Sequence, residues 1–436
     1  MTAPLKIAII GSGITGLGAA HALQGHADVT LFEAGSYFGG HAATVDVTLP
    51  MPHGNRTHGI DTGFLVYNER TYPNLIALFE QLKIHTTVTD MSFSVQSTNG
   101  VRKLEWGGAN LNAVFAQRGN LLSPRFLKML AEVLRLNQLC TRIAQTGSEA
   151  QLAQPLKDFL AEHRFSADVQ NWYLLPMLGC IWSCPTAQML QFPVSTMIRF
   201  CHNHGLMQVS NRPKWWTVTG GSRNYVKAIT DGIADKRLNT PVQLVERDQA
   251  SEQGGIRVIT QGQSERFDRV IFATHAPQAL ALLRDASAQE REILGEFRTQ
   301  ANKAILHTDA SVLPSRQIAW SAWNYVRGDT AQEQSQVCLH YLINKLQPIP
   351  FSQPVIVSLN PTQPIARQHI MGEFDYAHPV MDLAATAAQA RLPEINGVAN
   401  TWFCGAWSRY GFHEDGLMSG LAAARAILKD IHQVAA

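Results

Sequence analysis

Three glycines and one glutamate near the start of the chain are spaced for binding a dinucleotide. Gly11, Gly13 and Gly16 form a G-x-G-x-x-G pattern, and Glu33 follows twenty residues after Gly13. The first glycine permits a tight turn, the second lets the backbone approach a pyrophosphate, and the third allows close helix packing. A carboxylate at Glu33 accepts hydrogen bonds from ribose hydroxyls and repels a 2′-phosphate. The spacing therefore predicts an adenine dinucleotide without a 2′-phosphate.

A strand, a helix and a second strand have to surround these residues. Residues 7–10 are an apolar run that predicts a buried parallel strand ending at the glycine turn. The helix is predicted to start at Ile14 and Thr15, where unpaired backbone amides hold phosphates. Residues 29–32 predict the second strand, which ends at Glu33. Because all of these signals fall in register, we favour a βαβ unit over a glycine-rich turn that only packs.

The composition excludes several classes of function. The chain has 436 residues, 45% of them apolar, which is enough for two domains. A net charge of +2 and a charged fraction of 16% give no strong field to attract nucleic acid, so we predict no nucleic-acid partner. Cys180 and Cys184 are spaced for one helical turn, but no second pair follows at zinc-site spacing. We therefore predict buried thiols and no metal site.

The sequence gives indirect signals about location. No basic region followed by a removable apolar core opens the chain, and no apolar run approaches the ~20 residues that cross a bilayer. We therefore predict a cytoplasmic protein. Residues 124–136 predict an amphipathic helix with cations, which leaves peripheral membrane contact open. Packing of this helix on its own domain is the favoured alternative.

More glycine signals follow the first unit. Gly39 and Gly40 permit a second backbone approach to a diphosphate, and His41 after them can supply a hydrogen bond but no permanent charge. Residues 61–63, Asp-Thr-Gly, form either a cofactor turn or an ordinary turn.

Two later blocks repeat the strand and glycine pattern. The central block carries strand signals around Val242 and over residues 269–273. The last block has a strand that ends at Gly405, followed by a helix that starts near His413. A helix start carries a partial positive charge, which stabilises an anion placed near it.

Taken together, these motifs resemble the flavin-containing amine oxidoreductase superfamily, which includes amine oxidases, phytoene desaturases and protoporphyrinogen oxidases. The resemblance covers nearly the whole chain, with two departures: His41 stands where an arginine is usual, and Ala406 where an acidic residue is usual. It implies FAD, bound noncovalently because the position of Cys404 disfavours a thioether. The FAD contacts that it implies are Gly11, Gly13, Ile14, Thr15, Gly16, Glu33, Ala34, Gly39, Gly40, His41, Asp61, Thr62, Gly63, Val242, Gly405, Ala406, Asp415, Gly416 and Leu417.

The resemblance also implies the fold class and the domain organisation. We expect an α/β protein with a discontinuous, Rossmann-like FAD-binding domain over residues 1–70, 214–289 and 393–436. An inserted α+β substrate-binding domain would occupy residues 71–213 and 290–392. The substrate would lie between the two domains, against the flavin.

Two residues are candidate catalytic groups near the flavin. Lys303 stands where many amine oxidases keep a lysine that holds a water, although an exposed strand lysine is the alternative. His413 stands where amine oxidases place an aromatic residue, and an imidazole there can exchange protons at physiological pH. A histidine bonded to backbone at a helix start is the alternative. Trp323 and Asn324 are candidates for the cavity wall, with core packing favoured for the tryptophan.

The predicted function is an FAD-dependent oxidoreductase that removes a hydride from a largely apolar substrate and forms a double bond. Several stretches, such as residues 411–416, resemble bacterial predicted flavin- and NAD-binding proteins encoded beside cyclopropane-fatty-acid-synthase-like methyltransferases, which implies a fatty acyl or other lipid chain. The alternatives are an oxidase of small amines, and a flavin-binding isomerase or lipid-binding protein without net redox chemistry. An NAD-dependent dehydrogenase that uses only the first βαβ unit is a further alternative.

Overall fold

Short strands and helices alternate along the chain. The computed structural model describes residues 4–97, 104–147, 152–208, 212–247, 255–328 and 337–435. The strands are β1 (Lys6–Ile10), β2 (Asp28–Phe32), β3 (Thr44–Met51), β4 (Gly54–Asp61), β5 (Tyr67–Asn68), β6 (Thr86–Thr89), β7 (Phe93–Ser97), β8 (Leu104–Gly107), β9 (Trp215–Val218), β10 (Asp235–Arg237), β11 (Leu244–Arg247), β12 (Ile256–Thr260), β13 (Gln263–Phe267), β14 (Arg269–Phe272), β15 (Thr299–His307), β16 (Trp323–Arg327), β17 (Cys338–Leu342), β18 (Ile356–Leu359), β19 (Ile370–Pro379) and β20 (Thr401–Phe403).

The helices lie mostly between these strands. They are α1 (Ile14–Leu23), α2 (Pro73–Gln81), α3 (Leu111–Val114), α4 (Pro124–Thr146), α5 (Leu156–Glu162), α6 (Ala167–Val169), α7 (Leu175–Trp182), α8 (Thr186–Met189), α9 (Val194–Asn203), α10 (Arg223–Asp231), α11 (Ala276–Leu282), α12 (Ala288–Gly295), α13 (Ile343–Leu346), α14 (Leu383–Arg391) and α15 (His413–Ala435).

A parallel sheet in the order β10-β2-β1-β14-β20 forms the nucleotide-binding part. Its strands come from all three segments that the sequence assigns to the FAD-binding domain. β1 is buried on both faces: Ile7 and Ile9 join one hydrophobic core, and Ala8 and Ile10 join another. Burial on both faces explains why the strand is a continuous apolar run rather than an alternating one.

The first and last helices of the chain pack against each other beside this sheet. A Cβ placed on Gly18 of α1 would lie 2.4 Å from Cδ1 of Leu417 on α15. A Cβ on Gly420 would lie 2.1 Å from the backbone oxygen of Thr15. Glycine at both positions therefore permits the close approach of the two helices on one face of the sheet.

A second, mixed sheet in the order β19-β15-β18-β17-β16-β7-β8 forms the other part. Its strands pair antiparallel except β16 and β7, which are parallel. Helices α4 to α9 share with it a hydrophobic core that includes Phe126, Leu178 and Ile198.

The structure extends the nucleotide-binding core beyond residue 70. Leu75, Leu78 and Phe79 of α2 pack in the same core as Tyr225 of α10. β6 pairs with β9, which in turn pairs with β5. Residues 73–89 therefore pack with the nucleotide-binding part, although the sequence assigns them to the substrate domain.

Helix α4 includes the predicted amphipathic segment and continues to Thr146. Phe126, Met129 and Leu136 are buried in the core of the chain itself, while Leu127 and Leu134 are exposed. Peripheral membrane contact stays a prediction. Among the helices in the described ranges, none combines the length and the apolar character that a membrane span needs.

Candidate active site

A cavity of about 650 Å³ lies between the two sheets. Its walls include the carboxyl ends of β1, β2, β14 and β20, where ligands of open parallel sheets bind. The remaining walls come from helices α1, α7, α9, α11 and α15, from strands β9, β16, β17 and β19, and from neighbouring loops. The cavity therefore brings the glycine motifs and the second sheet to a single site.

The first glycine turn forms a cradle at this cavity. Gly11 has a φ of +99°, and a Cβ there would lie 2.7 Å from the backbone oxygen of Ala273. A Cβ on Gly16 would lie 1.9 Å from the backbone oxygen of Gly11, so Gly16 serves packing and does not line the cavity. A Cβ on Gly13 would meet no atom within 4 Å. Gly13 thus leaves open space beside Ile14 and Thr15, which also line the cavity.

Glu33 is held at the cavity wall by the same turn. Its Oε2 accepts hydrogen bonds from the backbone N and the hydroxyl of Ser12, at 3.1 and 2.5 Å. Its Oε1 accepts from the backbone N of Gly35 at 2.8 Å. Ala34 and Val242 line the cavity near it. The carboxylate is therefore fixed at the end of β2, as a ribose-binding group requires.

The second pair of glycines lies against the first turn. The backbone N of Gly39 donates to the backbone oxygen of Ser12 at 3.0 Å, and Gly39 itself does not line the cavity. A Cβ on Gly40 would lie 3.3 Å from Cα of Gly13. Gly40 and the next residue, His41, do line the cavity.

In the Asp-Thr-Gly turn, two residues serve packing and only the third lines the cavity. Asp61 is buried and accepts hydrogen bonds from the Thr44 hydroxyl at 2.5 Å, the Ser222 backbone N at 2.9 Å and Gln347 Nε2 at 2.8 Å. Because these donors already surround it, Asp61 joins the two parts of the chain and does not line the cavity. The Thr62 hydroxyl bonds that of Tyr376 at 2.8 Å and also lies outside the wall. Gly63 does line the cavity.

In the motif near the end of the chain, likewise, only some residues line the cavity. Gly405 and Ala406 line the cavity, whereas Asp415, Gly416 and Leu417 do not. Asp415 accepts from the backbone N of Phe412 at 2.9 Å, and burial raises the pKa of its carboxyl to about 6. This carboxyl lies in the first turn of α15, the helix start whose partial positive charge is expected to stabilise an anion placed near it. Gly416 instead lets α15 approach Thr15, since a Cβ there would lie 2.8 Å from the Thr15 hydroxyl.

Lys303 does not reach the cavity. Its ammonium pairs with Glu373 at 2.5 Å, and its side chain is 53% exposed. Successive side chains of β15 point to opposite faces, so the inward position belongs to Asn302, which is buried and bonds His378 Nδ1 at 2.7 Å. The predicted catalytic position of Lys303 is thus corrected: the alternative of an exposed strand lysine describes it.

His413 lies in the cavity wall, as predicted. Its ring stacks on Phe64 with 3.8 Å between ring centroids, and its Nε2 bonds the Tyr225 hydroxyl at 2.6 Å. Burial lowers the pKa of His413 to about 3. The ring is therefore neutral at physiological pH, so in this structure it does not exchange protons there as the sequence had suggested.

Most residues on the substrate side of the cavity were not predicted from the sequence. Trp323 was named as a candidate and does line it, whereas Asn324 is buried and bonds the Ser94 hydroxyl at 2.8 Å. The main wall residues that were missed are Leu65, Met91, Ile181, Phe200, Leu206, Trp215, Tyr341 and Phe412. They come from many elements and share no local pattern beyond being apolar or aromatic.

Comparison with known proteins supplies the family. A sequence model described as flavin-containing amine oxidoreductase matches residues 14–348. Three similar solved structures each have 16% identity to this chain over 98% of its length. They are cyclohexylamine oxidase from Brevibacterium oxydans IH-35A (TM-score 0.68, 100% of that chain), a putative protoporphyrinogen oxidase from Exiguobacterium sp. 255-15 (0.67, 99%) and a CLA-producing fatty acid isomerase from P. acnes (0.63, 98%). No curated protein sequence matches the chain.

Proposed function

Because this chain belongs to the flavin-containing amine oxidoreductase family, we propose that it removes a hydride from a largely apolar substrate and forms a double bond. The family membership confirms the predicted FAD cofactor, the enzyme class and the Rossmann-like α/β fold. It also removes the alternative of an NAD-dependent dehydrogenase.

The described residues fit FAD. Gly13 leaves space where a Cβ would block a diphosphate, and the Glu33 carboxylate is held at the end of β2 for a ribose. His41 Nε2 is buried without a hydrogen-bond partner among the described residues, as expected for a group that a ligand would satisfy. When bound, FAD supplies the hydride acceptor, and the chain supplies binding, orientation and exclusion of water.

The composition of the cavity wall is the observation that supports an apolar substrate. Among the described residues that line the cavity, Glu33 is the only acidic one, and it lies at the nucleotide end. The described wall has no lysine or arginine. A substrate ammonium or carboxylate placed beside Phe200, Leu206 and Ile181 would lose its hydration and gain no opposite charge, which is unfavourable by several kcal/mol. An alkyl or acyl chain meets no such penalty.

A flavin reduction assay tests the proposal. The FAD-loaded protein is mixed without oxygen with phospholipids that carry unsaturated or methyl-branched acyl chains, and separately with cyclohexylamine. We expect acyl chains to bleach the visible flavin absorbance and to lose two hydrogens by mass spectrometry. Bleaching by the amine but not by acyl chains would contradict an apolar substrate.

A pair of variants ties this activity to the cavity. Ile181→Ala enlarges the cavity and should raise KM for acyl chains by about 5- to 150-fold, because it removes apolar contacts worth roughly 1–3 kcal/mol. Leu134→Ala, on the exposed face of α4 and outside the wall, is the matched control and should leave KM unchanged.

A second candidate function is isomerisation of a fatty acyl chain without net redox change. It is favoured by the same apolar wall and by the structural likeness to the fatty acid isomerase. Product mass separates the two: a desaturated product is lighter by two hydrogens, whereas an isomer has the mass of its substrate. Oxidation of a small amine is the remaining alternative, supported by the likeness to cyclohexylamine oxidase.

A further inference from the structure

Three histidines from distant parts of the chain meet beside the glycine turn. They are His41, after Gly40; His275, after β14; and His378, on β19. The ring centroid of His41 lies 5.3 Å from that of His378 and 6.4 Å from that of His275. The three residues, called the histidine cluster below, all line the cavity at the nucleotide side.

A chain of hydrogen bonds fixes the tautomer of His378. The backbone N–H of Lys303 donates to Asn360 Oδ1 at 2.8 Å, which sets the orientation of that amide. Asn360 Nδ2 then donates to Asn302 Oδ1 at 2.7 Å, so Asn302 Nδ2 donates to His378 Nδ1 at 2.7 Å. Because Nδ1 accepts, neutral His378 carries its proton on Nε2.

The tautomer of His41 follows from its single backbone bond. The ring bonds the backbone carbonyl of Ala377, which can only accept, so that ring nitrogen carries the proton. Nε2 has no partner among the described residues, so the protonated nitrogen is Nδ1. In the neutral ring Nε2 therefore carries a buried lone pair. An anion near Nε2 is repelled by this lone pair and attracted only after Nε2 gains a proton.

Without a ligand the cluster has no charge at neutral pH. Burial first, and then the neighbouring His378 and His275, hold the pKa of His41 well below its ordinary value. Burial lowers the pKa of His378 to about 4 and lowers that of His275 as well. The other titratable groups that face His41 are His413, which is neutral, and Tyr376, which stacks on it at 4.9 Å and is held protonated by burial.

We propose that the histidine cluster is the charge-supplying part of the diphosphate site, and that it takes up one proton from solvent when the diphosphate of FAD binds. Members of the family usually place an arginine at the position of His41, which would supply this charge permanently. Here the charge appears only when an anion within about 4–6 Å favours it. The inference rests on the FAD assignment above.

The expected consequence is that affinity for FAD depends on pH. Binding that takes up one proton weakens by up to about tenfold for each pH unit between the pKa of the free cluster and the higher pKa of the bound cluster, and no longer changes above the latter. An arginine at this position is charged at every accessible pH, so a protein with the usual family residue would lack this dependence.

Calorimetry of the apoprotein tests the proposal without an activity assay. FAD is titrated at one pH in phosphate and in Tris, whose ionisation enthalpies differ, and the difference in observed heat gives the protons taken up. We expect about one proton for wild type, with ADP, which has the diphosphate but no flavin, giving the same sign. His41→Arg should bind FAD with no proton uptake, and the control His21→Gln, on α1 outside the wall, should behave as wild type.

Two results would overturn the proposal: no proton uptake by wild type, or equal uptake by wild type and His41→Arg. If His41→Arg does not fold by circular dichroism, His275→Asn replaces it and should reduce the uptake. Failure of FAD to bind at any pH would instead refute the cofactor assignment, so the two failures can be told apart.

Discussion

An added methyl group at two glycines of the same turn should affect two different properties, ligand affinity at one and stability at the other. In Gly13→Ala the new Cβ meets no atom within 4 Å, and the residue has an ordinary φ of −63°. In Gly16→Ala the new Cβ would lie 1.9 Å from the backbone oxygen of Gly11, so the helix or the turn must move. Gly13→Ala therefore affects the ligand, and Gly16→Ala affects the fold.

The magnitudes follow from these contacts. Alanine as an N-cap is less favourable than glycine by up to about 1 kcal/mol, and the loss of chain entropy in the unfolded state offsets about 0.4–1 kcal/mol. The stability of Gly13→Ala apoprotein should thus stay within about 1 kcal/mol of wild type. The Cβ occupies the space left for a diphosphate, and we expect affinity for FAD to fall at least about 100-fold, which is roughly 2.7 kcal/mol. Gly16→Ala should lose about 1–3 kcal/mol or more through overpacking.

Two measurements on each apoprotein separate the effects. Thermal unfolding followed by circular dichroism reports the fold, and quenching of FAD fluorescence during titration reports the affinity. The reasoning is refuted if Gly13→Ala binds FAD within threefold of wild type, or if its apoprotein melts as low as that of Gly16→Ala.

Three further predictions follow from particular contacts. Lys303→Ala should leave the rate of flavin reduction unchanged in stopped-flow measurements, because the Lys303 ammonium pairs with Glu373 at the surface; a large loss of rate would place a catalytic role back on it. Burial raises the pKa of Asp61 to about 6, above its ordinary value of 3.8, so the folded protein holds a proton that the unfolded chain releases. This contribution to stability is fully present below about pH 4 and is lost as the pH rises to about 6. Denaturant titrations should therefore show the free energy of unfolding of Asp61→Asn rising by roughly 3 kcal/mol relative to that of wild type across that range. A difference that stays constant with pH would contradict the assignment. Cys404 is buried at the end of β20, where burial raises the pKa of its thiol to about 12, so FAD should separate from the denatured chain on gel filtration; flavin that remains attached would show a covalent bond.

The predicted parts of the site are those whose residues are close together in the sequence. Gly11, Gly13 and Glu33 belong to one βαβ unit, whose turn and strand ends have a fixed geometry, so their spacing was enough to place them. The Asp61 turn had the right pattern but a different role, because its donors, such as Ser222 and Gln347, come from elsewhere in the chain.

The prediction for Lys303 failed for a physical reason that one sequence does not contain. Neighbouring side chains on a strand face opposite sides, so a shift of one position exchanges a buried environment for solvent. Which side of β15 is buried is set by its pairing with β18 and β19, and the paired residues lie 49 to 80 positions apart along the chain. Asn302, and not Lys303, is therefore the inward residue.

The sequence by itself determined the nucleotide-binding fold and the resemblance to the family, because local turns and apolar runs specify them. Only the tertiary structure decided what surrounds the ligand: the histidine cluster joins residues 41, 275 and 378, and the apolar wall joins α7, α9 and β16. Such groups meet because sheets and helices pack across long separations, and no local pattern records those contacts. The charge that faces the cofactor and the polarity that faces the substrate are properties of that packing.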